Sequence, residues 1–397
     1  MKNPGQKRSF FSLKRVVASG AYLPEIDGLR FIAIASVVVF HLMRMTEIHI
    51  GDYQTSGSSF QDGVQRLLSH GYFGVQLFFF ISGFVLSLPY ARHFLAGASQ
   101  ITYGTYLKRR VTRLEPPYVA ALIIRYKPVM VAKNIGFFQL FPHFLASVVY
   151  LNAVFYRDYS ILLGVAWSLE IEIQFYLLAP FLFRLLALHK HARRLIIICA
   201  IVLLVFLQGR YAPPFISIYG YAQFFLTGIL LADFYVSGAA TSVFNKNWII
   251  PLAIACLAGI MYLPVNDPGA YTISSFFVQL AFPLLIGLLY YAILKNGILK
   301  NVFSYKFIPI IGGMCYSIYL LHYTIIAALG RFTLQFHVTN YYYPNLLLQI
   351  ILLGIPVLII SCFFYFYVER PFMSKKWMDK LLKKDKRMET ANMQSEE

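Results

Sequence analysis

Charge is scarce in this chain. Only 13% of its 397 residues are Asp, Glu, Lys or Arg and 58% are hydrophobic, whereas soluble domains carry roughly 25% charged residues. That deficit excludes an ordinary water-soluble domain and marks an integral membrane protein. Cysteine is sparse too. Cys199, Cys256, Cys315 and Cys362 each fall in a different apolar stretch, without C-x-x-C or Cys/His ligand spacing. They read as packing residues, and no metal site is expected. No G-x-S-x-G elbow, Walker A loop or H-E-x-x-H helix occurs, which removes the signatures of serine hydrolases, P-loop NTPases and zinc peptidases. No internal repeat is visible. A small-residue cleavage site at the right distance from the first apolar run is also missing, so that run is expected to be retained rather than removed as a signal peptide.

Acidic residues are half as common as basic ones, 17 against 35, for a net charge of +18. The distribution of that charge points to membrane topology and away from a nucleic-acid partner. Windows near the about 20 residues needed to cross hydrocarbon fall at about 28 to 46, 72 to 90, 116 to 131, 167 to 188, 195 to 209, 216 to 236, 248 to 264, 273 to 294, 309 to 330 and 345 to 368. With the N-terminus in the cytoplasm, the inside segments are the first 22 residues, then about 91 to 113, 184 to 194, 237 to 247, 295 to 306 and 370 onward. Together they hold 26 of the 35 Lys and Arg, as the positive-inside rule requires.

The expectation is an all-α polytopic membrane bundle of about ten transmembrane helices with both termini cytoplasmic. It divides into a basic N-terminal segment (1–22), a transmembrane domain (23–371) and a basic tail (372–397). Seven of the fourteen residues of 374–387 are basic, which suits either an amphipathic helix on an anionic leaflet or a solvated tail that sets topology. The third window is short and opens with Pro116 and Pro117. The apolar stretch 137–156 would break the even count if it spanned, so it reads as a re-entrant or interfacial segment.

Few ionisable residues lie inside the apolar windows, and such residues normally pair or line a polar path. Arg30 and His41 stand eleven residues apart in the first window, which at about 100° per residue places both on one helix face, roughly 16 Å apart along the axis. In W167 S L E I E I Q F Y, Glu172, Tyr176 and Ser168 are spaced by one turn and can face a common centre. There Glu172 is a candidate to orient or charge-stabilise a histidine. Glu170 lies on another stripe with Gln174 and reads as a marker of the helix's outer boundary. Tyr316, Tyr319 and His322 form a further turn-spaced stripe, and the other candidates are Asp233 and, at a membrane boundary, Glu369 with Arg370. Arg109, Arg110 and Arg113 cluster at the cytoplasmic edge, between the second and third windows. Guanidinium forks there suit phosphates or anchor the topology. Gly74, Gly83 and Ser82 in the second window allow close helix approach.

The ordered set E25 I D G L R, with His41 eleven residues after Arg30, F73 G V Q L F F F I S G F V L S, R109 R V T R L E P P Y, W167 S L E I E I Q F Y, S317 I Y L L H and V368 E R P F resembles acyltransferase family three. Those proteins are integral-membrane O-acyltransferases that modify carbohydrates and some small molecules. The resemblance implies a cytoplasmic acyl-CoA donor, most simply acetyl-CoA, used as a substrate with no permanently bound cofactor. It also implies a ten-helix core in the cell (inner) membrane and an acceptor hydroxyl often on the far side. The family's arginine and histidine pair falls on Arg30 and His41, its cytoplasmic R-x-x-R on Arg110 and Arg113, and its helix-four Glu on Glu172.

Three positions depart from the family pattern. Ile173 stands where a second acid is common, Glu170 where a small polar residue is usual, and Thr324 where a proline follows the late histidine, His322. Many relatives also carry an extracytoplasmic hydrolase-like domain. This chain ends in a basic tail and resembles the stand-alone type, expected to hand the acyl group to its acceptor directly.

The expected catalytic set is His41, Arg30 and Glu172, with Arg109, Arg110 and Arg113 on the CoA phosphates and Tyr176, Trp167, Tyr319 and His322 on substrate. His41 serves either as general base or as a transient acyl carrier, while Arg30 holds the donor or stabilises developing negative charge. The expected partners are acyl-CoA, a carbohydrate acceptor such as a surface glycan and the bilayer, with a homo-oligomer left open. The aromatic far-side loop of about 132 to 166 offers surface for sugar stacking. A small-metabolite acceptor such as a macrolide, and a glycan-lipid carrier without acyl transfer, are the competing functions.

Overall fold

The structure, a computed structural model, describes residues 22–49, 59–100, 102–263 and 272–373. The basic segment at residues 1–21 and the basic stretch 374–387 lie outside them. Among the described residues the fold is helical, with no β-sheet. The helices are α1 (Pro24–His49), α2 (Ser59–Ser69), α3 (Gly74–Ala96), α4 (Tyr103–Lys133), α5 (Phe137–Val148), α6 (Asn152–Tyr156), α7 (Trp167–Leu182), α8 (Lys190–Gln208) and α9 (Ala222–Val236). Then follow α10 (Thr241–Phe244), α11 (Ile249–Tyr262), α12 (Ile273–Lys295), α13 (Gly297–Phe303), α14 (Phe307–Gly313), α15 (Cys315–Thr333), α16 (Tyr342–Phe364) and α17 (Arg370–Phe372).

Each of the ten apolar windows holds a helix. Among the described residues five segments are long and apolar enough to cross a membrane: Pro24–Glu47, Gly63–Ala96, Lys190–Gln208, Ile273–Lys295 and Tyr342–Phe372. A sixth arises if Phe307–Gly313 and Cys315–Thr333, bent by 73° at Met314, form one span. The apolar α9 and α11 are shorter, at 15 and 14 residues. The 12-residue α5 rises only about 18 Å, short of the roughly 30 Å hydrocarbon core, and exposes Phe137, Phe138 and Phe141.

Two elements differ from expectation. The arginine segment is not a loop: α4 runs unbroken from Tyr103 through Pro116 and Pro117 to Lys133, so Arg109, Arg110 and Arg113 lie on its first three turns. A proline forfeits one intrahelical bond, but the residues before it are good helix formers and the helix recovers beyond it. Asn134 then ends α4 in the left-handed conformation (φ 53°). Glu170 lies in the first turn of α7 but does more than mark that boundary. It is buried at 1% exposure and its Oε2 accepts from the Ala153 amide at 2.9 Å, which satisfies an otherwise bare first-turn N–H of α6. Gln174, on the same stripe, accepts from the Ile218 amide at 2.8 Å.

Small residues let the central helices touch backbone to backbone. A Cβ on Gly83 of α3 would stand 2.2 Å from the Phe225 carbonyl oxygen of α9, and one on Gly228 would stand 2.3 Å from that of Phe80. Gly83→Ala is therefore expected to cost about 1–3 kcal/mol through overpacking. It should lower the thermal midpoint in detergent, whereas Gly104→Ala, with nothing within 4 Å, should leave it unchanged. Asp233 on α9 is fully buried and takes Arg193 Nε at 2.6 Å and Arg194 Nε at 2.5 Å. It clamps α8 to α9 and stands outside the cavity described next.

Candidate active site

A cavity of about 110 Å³ opens where α1, α3, α4, α7 and α15 converge. Its polar lining comprises Arg30, Ser82, Arg110, Arg113, Ser168 and Glu172, with the phenols of Tyr176, Tyr316 and Tyr319. Three guanidiniums and one carboxylate thus share one small space inside an apolar bundle, where charges interact far more strongly than in water.

Each charge has a support. Arg30 Nη1 meets Asp27 Oδ1 at 2.5 Å, one helical turn back, and Asp27 also accepts from the Tyr22 hydroxyl at 3.0 Å. This pairing draws the guanidinium toward the N-terminal end of α1 and away from His41. Glu172 Oε1 accepts from Ser82 Oγ at 2.7 Å and from the Tyr176 hydroxyl at 2.5 Å. Its hydrogen bonds therefore run to hydroxyls on α3 and α7 rather than to an imidazole.

Arg113 Nη2 stands 3.7 Å from Glu369 Oε1, and Glu369 Oε2 accepts from Ser317 Oγ at 2.6 Å and from the Ser317 amide at 3.1 Å. A π turn over Tyr365–Glu369 carries that carboxylate at the end of the α16 span. The break before Cys315 brings the first turn of α15 to the cavity, and Glu369 takes one of its amides.

The cavity gathers Arg30, Ser82, Arg110, Arg113, Ser168, Glu172, Tyr176, Tyr316 and Tyr319 from the residues singled out in the sequence. Arg109 is exposed on α4 and outside the lining. Trp167 packs with Tyr221 at a ring-centroid separation of 5.2 Å and is likewise outside it. Tyr319 bonds Ser168 Oγ at 2.6 Å and also donates to the Val165 carbonyl, tying α15 to the start of α7.

His41 is half-buried beyond the lining and forms a second cluster. Its ring lies 5.2 Å from that of His322 and 5.4 Å from that of Tyr323. Tyr319 joins the two regions, because it lines the cavity and its ring stands 5.8 Å from His322.

Sequence reasoning assigned no role to Asp27, although an acid three residues before Arg30 is itself a pairing signal. Ser82 and Cys315 read as packing residues in the sequence, yet both line the cavity. The placement of Cys315 follows from the bend at Met314, which no local pattern announces.

Fold and site together define a multi-pass, all-helical membrane protein with its charged residues gathered inside. A family model described as an acyltransferase domain matches residues 23–366, and the chain belongs to that family, acyltransferase family three. It is similar to O-acetyltransferase OatA of Staphylococcus aureus strains NCTC 8325 / PS 47 and COL, at 25% identity over 382 residues covering 90% of this chain. The chain spans 58% of the length of those curated relatives. No solved structure matches it.

Proposed function

We propose that this chain is a membrane O-acetyltransferase that moves an acetyl group from cytoplasmic acetyl-CoA to a hydroxyl of a surface glycan. The reading takes both chain ends as cytoplasmic and the ten helical windows as the core, in the cell (inner) membrane. The observation that carries it is the cavity lined by Arg110 and Arg113 from the first turns of α4 and by Arg30 from α1. A polyanionic donor fits such a lining, because guanidinium forks bond phosphate oxygens in pairs. Membership of the acyltransferase family and similarity to the OatA O-acetyltransferases support the chemistry.

Arg110 and Arg113 hold CoA phosphates at the cytoplasmic mouth, and the extended pantetheine arm runs past Tyr319 toward His41. The pull of Asp27 on Arg30 favours the donor-holding role for Arg30, since its guanidinium leans away from His41. His41 removes the acceptor hydroxyl proton. The hydroxyl oxygen bonds the thioester carbonyl carbon, the C–S bond breaks, and the leaving thiolate takes the proton from His41.

Loss of one charged hydrogen-bonding group costs about 1.5–3 kcal/mol. Arg110→Gln is therefore expected to raise the acetyl-CoA KM roughly tenfold or more, while Arg109→Gln, outside the lining, leaves it within about twofold. Equal effects from the two would refute this phosphate assignment. The reaction itself is tested by the alkali-labile ester content of surface glycans from cells carrying the intact gene or His41→Ala at matched membrane levels. Loss of a defined ester supports the proposal. An equal amount of a defined ester in the two strains would remove His41 from the reaction, and absence of any labile glycan ester from both would exclude a surface glycan as the acceptor.

A further inference from the structure

His322 is fully buried, and its two ring nitrogens differ in what they meet. Nδ1 lies 2.8 Å from the Tyr319 carbonyl oxygen and 3.1 Å from that of Ile318. Both are acceptors, so Nδ1 carries the ring proton and donates it. Nε2 then holds a lone pair, and it is buried without a hydrogen-bond partner. A buried acceptor left unpaired is costly and calls for a specific explanation.

The explanation lies in its neighbour. The His41 ring is 5.2 Å from His322 and tilted by 47°, while Phe40 and Tyr323 confine it at 5.4 Å each. A neutral imidazole has one N–H and one lone pair. Rotation of the His41 ring, or one bridging oxygen, joins its N–H to the waiting lone pair of His322. Its complete burial favours a role for His322 beside His41 over the substrate contact expected from the sequence.

Resting on the acyl-transfer reading above, we propose that His322 is the positioning residue of His41. Its Nε2 accepts the His41 N–H, which leaves the other His41 nitrogen as the bare base toward the acceptor hydroxyl. The same contact holds the imidazolium once His41 has taken that proton. The proton then passes from His41 to the departing thiolate, while the ring proton of His322 stays on Nδ1, donated to the Tyr319 and Ile318 carbonyls, throughout. The logic matches that of a triad acid behind its histidine, with a tautomer-locked imidazole as the acceptor. Here the lock comes from the backbone of α15, the helix that also supplies Tyr319 to the cavity.

The test uses inverted membrane vesicles carrying the full chain, supplied with radiolabelled acetyl-CoA and read as label on the vesicles' own glycans. His322→Leu is expected to lower the maximal rate about tenfold or more, with the acetyl-CoA KM unchanged. His322→Gln, which returns an acceptor oxygen near the place of Nε2, should recover most of the rate. A merely structural role would depress both variants alike. That result, a wild-type rate in His322→Leu, or a raised KM without loss of rate would overturn the proposal. If His41→Ala is inactive while His322→Leu is not, only the positioning role falls. If wild-type vesicles consume no acetyl-CoA, the acyl-transfer reading falls and this inference with it.

Discussion

Membranes carrying His41→Ala are expected to transfer acetyl groups about 10² to 10⁴ times more slowly than wild type, the usual range for loss of a general base. The side chain is half-buried and touches Phe40, His322 and Tyr323 through its ring alone, so truncation removes no hydrogen bond that the fold depends on. Protein levels and the thermal midpoint should therefore change little. The acetyl-CoA KM should also hold, because the charged groups proposed to hold the donor line a cavity that does not include His41. A fall in rate without a fall in donor binding would assign the residue to the chemical step. An acyl-histidine relay makes the same forecast for His41→Ala. It differs in forming an acetyl-enzyme when acceptor is absent, which rapid quenching with labelled donor would trap. Full turnover by His41→Ala would remove both versions.

The second large effect is expected at Asp27. Its carboxylate is 1% exposed, and it is the ionic partner of Arg30 and an acceptor for Tyr22. Removing one partner of a buried pair costs about 3–5 kcal/mol, because the other charge stays inside without compensation. Asp27→Ala should accordingly lower both the thermal midpoint and the activity.

Asp27→Asn separates charge from shape. It keeps an acceptor for Tyr22 and removes the charge that pulls on Arg30, so the acetyl-CoA KM should rise even in membranes where folding is rescued by low temperature. Combining Asp27→Asn with Arg30→Gln should cost less than the sum of the single changes, with a coupling of about 0.5–3 kcal/mol. Strict additivity would show that the pair does not work as a unit.

Much of this was legible in the sequence because hydrocarbon imposes its own grammar. Each of the ten apolar windows holds a helix among the described residues, as expected where an unpaired backbone cannot lie against lipid. The spacing of Ser168, Glu172 and Tyr176 did place those side chains around one space, as turn periodicity requires. The eleven-residue step from Arg30 to His41 led instead to two neighbouring clusters, because helical phase fixes a face but not the height at which a partner helix breaks. The break at Met314 depends on close approach of α14 to α1, where a Cβ on Gly312 would stand 1.7 Å from the Asp27 carbonyl oxygen. Such a contact is tertiary, and no local pattern carries it.

The same holds for the other differences. Glu170 reads as a boundary residue until α6, itself only five residues long, arrives to receive it. Pro116 and Pro117 suggest a start, whereas α4 extends past them because the Arg-rich turns before them are helix formers and pack on the bundle. Glu369 sits next to Arg370 in the sequence, yet the π turn that carries it delivers it to Arg113 and Ser317 instead. Insertions of this kind change which face a residue occupies, and they recur at functional sites.

The most direct test of the account is made with purified protein in liposomes, measuring free CoA thiol and labelled ester together when acetyl-CoA is supplied with extracted surface glycan. The account requires thiol release that depends on the glycan, matches ester formed one for one, and disappears in His41→Ala. Movement of glycan across the bilayer without thiol release, or thiol release that persists unchanged in His41→Ala, would contradict it.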